Sequence, residues 1–81
     1  MDFCLRFFQV SWIRHDNLEI LTAGRYTYTS DQRYEALNPE ESTDWILRIR
    51  NTQLKDSGRY ECQVSTQPIR SFFFNLRVVG E

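Results

Sequence analysis

The chain has 81 residues, which is enough for one small domain with a limited core. Its ten basic residues are balanced by eleven acidic ones to a net charge of −1, which argues against nucleic acid as a partner. Hydrophobic residues make up 41% and aromatic residues 15% of the chain, so the composition argues against a disordered tail and predicts a packed core.

The start of the chain, residues 1–9, is apolar but lacks the features of a targeting segment. Arg6 interrupts the apolar run, Asp2 precedes it, and it has neither a basic start nor a small-residue cleavage site. Nothing in the chain approaches the roughly 20 apolar residues of a membrane span. We therefore expect no direct membrane insertion by this chain, and we expect any secretion signal or anchor to lie outside it.

From residue 10 onward, apolar and polar residues alternate with a period of two, which predicts antiparallel strands with one buried face. Turn-forming residues separate these runs, among them Gly24, Pro39 and Pro68. No run has the 3.6-residue period of an amphipathic helix. The predicted strands are residues 10–14, 18–22, 26–29, 33–37, 45–50, 60–65 and 72–78.

The same alternation assigns side chains to the two faces of each strand. In the last strand it places Phe72 and Phe74 inward and Phe73 outward. About seven short strands separated by turns are what a β-sandwich needs. The predicted core includes Trp12, Trp45, Tyr60, Phe74, Leu76 and Val78.

The two cysteines, Cys4 and Cys62, lie far apart in the sequence. With His15 as the only histidine, they do not supply the four ligands of a structural zinc site, and we expect no metal or other cofactor. A long-range pair in a small domain favours one disulfide and an oxidising, extracellular setting. In a cytosolic protein the same residues would be two buried thiols.

The chain lacks the residues that an enzyme of a common type requires. A hydrolytic triad would need His15 beside a nucleophile such as Ser57, but the two belong to different parts of the predicted sheet. The three glycines are scattered, so they form no phosphate-binding loop. We expect no enzymatic activity.

Residues 56–62, Asp-Ser-Gly-Arg-Tyr-Glu-Cys, match the Asp-x-Gly-x-Tyr-x-Cys signature and resemble variable-like immunoglobulin domains. The resemblance implies a tyrosine corner at Tyr60 and a Cys62 that faces the opposite sheet. It also implies that Trp12 is the buried tryptophan beside that cysteine and that Arg33 pairs with Asp56.

Four longer runs, at residues 10–15, 18–22, 24–33 and 44–50, resemble the first immunoglobulin domain of the insect Dpr (defective proboscis extension response) family. The likeness extends over about residues 10 to 79. It implies an extracellular domain on the plasma membrane of neurons, as part of a longer protein. The implied partners are immunoglobulin-superfamily Dpr-interacting proteins, and in some cases other Dpr proteins, bound through the sheet of strands C, C′, C″, F and G.

The N-terminal part departs from this family pattern. Cys4 precedes Trp12 by eight positions, whereas about a dozen residues separate the corresponding pair in immunoglobulin domains. We therefore expect an all-β, immunoglobulin-like Greek-key sandwich that is incomplete and lacks strand A and most of strand B. The predicted domain spans residues 10–81 after an atypical segment 1–9, and a disulfide between Cys4 and Cys62 is an open prediction.

The face of the sheet opposite Trp12 combines aliphatic and polar residues, as specific protein interfaces do. The alternative is that these are ordinary exposed side chains without a binding role. The chain would then be a domain that only spaces its neighbours, or a non-functional fragment of a cell-surface receptor. The resemblance favours an interface. The predicted partner-binding residues are Ile13, His15, Leu18, Ile20, Gln63 and Ser65.

Overall fold

The computed structural model of the chain describes residues 2–5, 10–39 and 44–80, with side chains from residue 10 onward. Within this part of the chain there is no α-helix, only eight strands and one 3-10 turn at Leu54–Asp56. In chain order the strands are β1 (Asp2–Leu5), β2 (Val10–Arg14), β3 (Glu19–Ala23), β4 (Tyr26–Thr27), β5 (Tyr34–Leu37), β6 (Asp44–Ile49), β7 (Gly58–Val64) and β8 (Arg70–Leu76).

The strands form two sheets that pack face to face. One sheet has three strands in the order β1-β6-β5, and the other has five in the order β4-β3-β2-β7-β8. Every neighbouring pair is antiparallel. The predicted all-β sandwich is confirmed, and each strand predicted from residue 10 onward is present, although the run at 26–29 forms only the two-residue β4.

The start of the chain contributes to the smaller sheet. The four residues of β1 pair with β6, from Asp2 opposite Leu47 to Leu5 opposite Asp44. β1 is the outer strand of this sheet on the side of β6. The expected loss of strand A and of most of strand B stays a prediction. Residues 6–9 lie outside the described part of the chain, and the division of the domain at residue 9 therefore stays a prediction.

The core lies between the sheets, where Trp12 and Tyr60 have no exposed surface. The Trp12 ring lies 5.6 Å from the ring of Phe74, which packs on the core from one side together with Leu76. Alternation predicts the same orientation for Phe72, but this side chain is 46% exposed. Its strand, β8, is the edge of a five-stranded sheet that faces a sheet of only three, so the cover at this position is incomplete. The buried cluster contains Val10, Trp12, Leu21, Tyr34, Trp45, Leu47, Tyr60, Cys62 and Val64.

Cys62 is fully buried directly opposite Trp12 in the register of β2 and β7, and it is disulfide-bonded. The sequence has one other cysteine, Cys4, whose side chain lies outside the described part of the chain. The Cys4–Cys62 pairing stays a prediction. A cross-link at this position stabilises a small domain mainly because it restricts the unfolded chain.

A polar network closes one end of the sandwich. The Tyr60 hydroxyl donates to the backbone oxygen of Asp56 at 2.7 Å and lies 3.2 Å from the Tyr34 hydroxyl. Burial, together with the Tyr34 hydroxyl, raises the pKa of Tyr60. This is the geometry of a tyrosine corner, which ties the turn before β7 to the strand itself.

The same end contains a bidentate ion pair between Arg33 and the fully buried side chain of Asp56. The guanidinium donates from Nη1 to Oδ2 at 2.7 Å and from Nη2 to Oδ1 at 2.8 Å. It also donates to Asp31, and the backbone N–H of Gln53 donates to Asp56 at 2.7 Å. These donors stabilise the carboxylate, so the Arg33 hydrogen bonds hold the pKa of Asp56 at about 2.

Gly58 starts β7 in a conformation that other residues rarely adopt. Its φ is +148°, and a Cβ placed there would lie 2.8 Å from a carboxylate oxygen of Asp16. A side chain at this position would be both strained and crowded. The glycine of the Asp-x-Gly-x-Tyr-x-Cys signature is therefore required by local geometry.

Replacing Trp12 with alanine is expected to destabilise the fold by about 3–5 kcal/mol, because the change leaves a large cavity between the sheets. Urea unfolding followed by circular dichroism measures this loss. Tyr26→Ala removes an aromatic ring that is 73% exposed and provides the matched control, for which we expect little change. An unaltered unfolding midpoint for Trp12→Ala would contradict the core assignment.

The Arg33–Asp56 pair is expected to make stability fall at acid pH. Because the pKa of Asp56 is lowered from 3.8 to about 2, its contribution is fully present above about pH 4 and is lost as the pH falls through about 2. The shift corresponds to roughly 2 kcal/mol. Urea unfolding at a series of pH values measures the loss, and Asp56→Asn should be less stable at neutral pH and show a shallower acid slope. Equal slopes in the two proteins would show that another carboxylate is responsible.

Candidate partner-binding face

Side chains on the outward side of the five-stranded sheet line up in rows across the strands. In the central row, Ile20, Ile13, Glu61 and Phe73 lie opposite one another on β3, β2, β7 and β8. The adjacent row is Ala23, Ser11, Gln63 and Ser71. On β2, β7 and β8, where the pairing is regular, each of these residues is two positions from the central-row residue of the same strand. We call the surface formed by Ser11, Ile13, Ile20, Glu61, Gln63, Ser71 and Phe73 the front face.

An irregularity in the pairing of β2 and β3 brings Ile20 onto the front face. Trp12 lies opposite Thr22, but its neighbour Ile13 lies opposite Ile20, so Leu21 is left out of the register. Leu21 and Thr22 are consequently both buried, while Ile20 is 48% exposed. Because of this bulge, Ile20 lies beside Ile13 on the front face, while Trp12 remains in the core.

Leu18 and Ser65 lie at the margins of this surface. Leu18 is in the turn before β3, 69% exposed, with a positive φ of 54° that is rare for a branched side chain. Ser65 follows the last residue of β7 and is not in a cross-strand row. The predicted residues that come together in the sheet are thus Ile13, Ile20 and Gln63, with His15 beside them.

The centre of the front face is a carboxylate. Glu61 is only 8% exposed, and its Oε2 accepts a hydrogen bond from the Ser71 hydroxyl at 2.6 Å and a longer one from the Gln63 amide at 3.4 Å. Its other oxygen, Oε1, lies 3.6 Å from Nε2 of His15. The front face therefore contains a buried charge between apolar neighbours.

Phe73 is the aromatic residue of the central row and is held on two sides. The His15 ring meets it edge-on at 5.4 Å, and the guanidinium carbon of Arg59 lies 4.1 Å from its ring centre. This second contact is a cation–π interaction. Phe73 is nevertheless 45% exposed, so a partly fixed aromatic surface remains available for contact.

Glu61, Ser71 and Phe73 are absent from the predicted set of partner-binding residues. Alternation places Glu61 and Phe73 outward, but it does not show that they lie side by side. That proximity depends on the register of β7 against β8, which pairs Glu61 with Phe73 and Gln63 with Ser71. The partner-binding role of the predicted residues stays a prediction.

The structural residues of the prediction lie away from this surface. Trp12, Tyr60 and Cys62 face the core, and Arg33 and Asp56 form the ion pair at one end of the sandwich. Ser57, the nucleophile of the rejected triad, accepts a hydrogen bond from the Val78 backbone at 2.9 Å. In the described part of the chain, no group of three His, Cys, Asp or Glu side chains can hold a metal ion.

The sandwich, the tyrosine corner and the buried Trp12–Cys62 pair define a variable-type immunoglobulin domain. Residues 5–79 match the immunoglobulin V-set domain, and the chain belongs to this family. The family consists of binding domains rather than enzymes. Within it, the chain closely matches the first immunoglobulin domains of Dpr proteins, as the sequence predicts.

Two solved structures illustrate this match. The chain is 51% identical to Dpr1 IG1, crystallised bound to DIP-eta IG1, over 89% of this chain and 68% of that one, with a TM-score of 0.83. It is 40% identical to Dpr11 IG1, crystallised bound to DIP-gamma, over 95% of this chain and 84% of that one, with a TM-score of 0.88. Both relatives were therefore crystallised in complexes with immunoglobulin partners.

A more distant relative is the Zwei Ig domain protein zig-8 of Caenorhabditis elegans, which is 28% identical over 71 residues. The aligned part covers 88% of this chain and 26% of that protein, so the chain spans about a quarter of its length. Domains of this kind are typically extracellular, and no helix in the described residues is long and apolar enough to cross a membrane.

The Ser71 hydrogen bond to Glu61 is expected to stabilise the front face. Ser71→Ala leaves the buried carboxylate without its shortest donor, and we expect a loss of about 1–3 kcal/mol in unfolding free energy. Urea unfolding at neutral pH measures it. Ser71→Thr keeps the hydroxyl on a strand-compatible side chain and should retain most of the stability. Equal stability of Ser71→Ala and the unmodified chain would contradict this role.

Proposed function

We propose that this chain is a cell-surface recognition domain that binds Dpr-interacting proteins, and in some pairings other Dpr proteins, through its front face. The observation that carries the proposal is the partly exposed apolar row formed by Ile20, Ile13 and Phe73 on the sheet β4-β3-β2-β7-β8. Close relatives crystallised with DIP domains support the class of partner. The resemblance to the Dpr family supports a place on the neuronal surface, in the matching of synaptic partners.

The chemistry of the front face suits a protein partner. Specific interfaces combine a few apolar or aromatic anchors with polar groups that exclude mismatched partners. Ile20 and Phe73 are each nearly half exposed and lie at the two ends of the central row, and the less exposed Ile13 lies next to Ile20. His15, Gln63 and Ser71 surround this apolar row with side chains that form hydrogen bonds.

The shape of the surface also fits. The front face runs across β3, β2, β7 and β8, and a sheet surface of this kind can dock against a similar sheet of another immunoglobulin domain. Stable interfaces bury about 800 Å² on each partner, which requires several strands to take part. Tyr26, which is 73% exposed on the edge strand β4, and Leu18, which is 69% exposed in the turn before β3, add apolar surface near the front face.

Ile20→Asp is expected to abolish partner binding while the fold is retained, because the new carboxylate would be desolvated at the centre of the interface. The measurement is a binding panel in which the 81-residue chain, on a secreted scaffold, is presented to a set of DIP ectodomains. Circular dichroism checks that each protein is folded.

Leu54→Asp is the matched control, since Leu54 is 61% exposed and lies in the 3-10 turn outside the five-stranded sheet. We expect this variant to bind like the unmodified chain. Unchanged affinity of Ile20→Asp would contradict the front-face assignment. A folded chain that binds no member of the panel would favour a domain that only spaces its neighbours.

A further inference from the structure

The Glu61 carboxylate is an unusual group to find at the centre of an apolar binding row. Its register neighbours are Ile13 on β2 and Phe73 on β8, and the residue is only 8% exposed. A carboxylate in such surroundings is stable only when hydrogen-bond donors surround it. Docking of a partner would remove the remaining water and make the need for donors greater.

The two oxygens of this carboxylate differ in their contacts. Oε2 accepts from Ser71 at 2.6 Å and from Gln63 at 3.4 Å. Oε1 has only the approach of His15 Nε2 at 3.6 Å, which is longer than a normal N–H···O hydrogen bond. Since each carboxylate oxygen can accept about two hydrogen bonds, the free capacity within the described residues is concentrated on Oε1.

The neighbouring arginines do not donate a hydrogen bond to Oε1. Arg59 lies two residues before Glu61 on β7, but its guanidinium carbon lies 4.1 Å from the ring centre of Phe73, and within the described residues it has no hydrogen bond to Glu61. Arg14 and Arg33, which are also near β7, are committed to the carboxylates at the end of the sandwich. Apart from His15, no described side chain approaches Oε1 as a donor. A hydrogen bond to this oxygen therefore comes from solvent water in the free chain, and from the partner once docking has excluded that water.

We infer that Glu61 is a specificity-determining residue that accepts a hydrogen bond from the partner at Oε1. The preferred partner presents apolar side chains around one polar side chain. The N–H or O–H of that side chain reaches Oε1 of Glu61 between Ile13 and Phe73. A partner with a purely apolar surface at this point would leave the carboxylate dry and unpaired, and is disfavoured for that reason. This inference rests on the proposed function and names the chemistry of the partner at the same surface.

Glu61→Leu tests the inference against a purely structural role. If a partner donor meets Oε1, the substitution leaves that donor buried without an acceptor, and we expect binding about 10- to 100-fold weaker in Kd. If Glu61 is only a charge that the interface tolerates, removing it relieves a desolvation cost, and Glu61→Leu should bind as tightly as the unmodified chain or more tightly. This second result overturns the inference.

The experiment uses the DIP panel on the 81-residue chain and measures Kd for each binding member, with circular dichroism as the folding check. Glu61→Met has an unbranched apolar side chain of similar length and gives the same test if Glu61→Leu does not fold. Glu35→Gln is the control, because Glu35 is a carboxylate on β5 of the other sheet, paired with Arg50 at 3.3 Å. We expect it to leave Kd unchanged.

Glu61→Gln identifies the type of donor. The amide keeps an acceptor oxygen but loses the charge, so a neutral donor such as a hydroxyl or amide predicts only a small loss of affinity. A lysine or arginine donor predicts a loss close to that of Glu61→Leu, and a binding constant that weakens with added salt. Either pattern, combined with weaker binding of Glu61→Leu, supports the inference.

Failure of the inference and failure of the proposed function give different results. An unmodified chain that binds a DIP domain and is sensitive to Ile20→Asp, but insensitive to Glu61→Leu, overturns the role of Glu61 alone. A folded chain that binds no DIP domain, or binds one regardless of Ile20→Asp, overturns the front-face function and the inference with it.

Discussion

The packing of Trp12 between the sheets determines where the front face lies. Trp12 is completely buried and faces Cys62 across the β2–β7 register, so the neighbouring residue on each strand points the other way. The neighbours that pair with each other are Ile13, which follows Trp12 on β2, and Glu61, which precedes Cys62 on β7, and both lie at the centre of the front face. Core and surface are thus specified by adjacent residues, and a shift of one position in either strand would exchange them.

The bulge opposite Trp12 extends this relation to β3. A regular strand would place Leu21 and Thr22 on opposite faces, but the register change between Trp12 and Ile13 buries both. It also sets Ile20 beside Ile13. Bulges re-aim side chains next to functional sites in many sheets, and here the result is a continuous aliphatic pair on two neighbouring strands.

Polar interactions have two distinct roles in this domain. At the end of the sandwich, Arg33 donates two hydrogen bonds to the Asp56 carboxylate, and Tyr60 donates one to the Asp56 backbone oxygen. These bonds hold the turn before β7 in place. On the front face, Glu61 is satisfied at one oxygen and much less at the other. Fully paired buried charges serve the fold, whereas a charge with remaining acceptor capacity on an exposed sheet is suited to recognition.

Much of the fold could be read from the sequence, because a period of two in hydrophobicity follows directly from the geometry of a strand. That period located the strands from residue 10 onward, although not β1, and the Asp-Ser-Gly-Arg-Tyr-Glu-Cys run identified the turn into β7. It placed Phe72 on the inward side of β8, where the register sets it opposite Cys62, but it did not show that this side chain is 46% exposed because its edge strand is incompletely covered. Burial at an edge depends on the opposite sheet, and no local pattern contains that information.

The candidate site was only partly predictable for the same reason. Alternation by itself determined that Ile13, Ile20 and Gln63 point outward, but it did not show the β2–β3 bulge that sets Ile20 beside Ile13. Only the tertiary structure decided that Glu61 lies between Ile13 and Phe73, that Ser71 donates to it, and that Ser65 falls beyond the end of β7. Register between strands is set by the packing of the whole sandwich, so the neighbours of a residue across a sheet are decided when the two sheets come together.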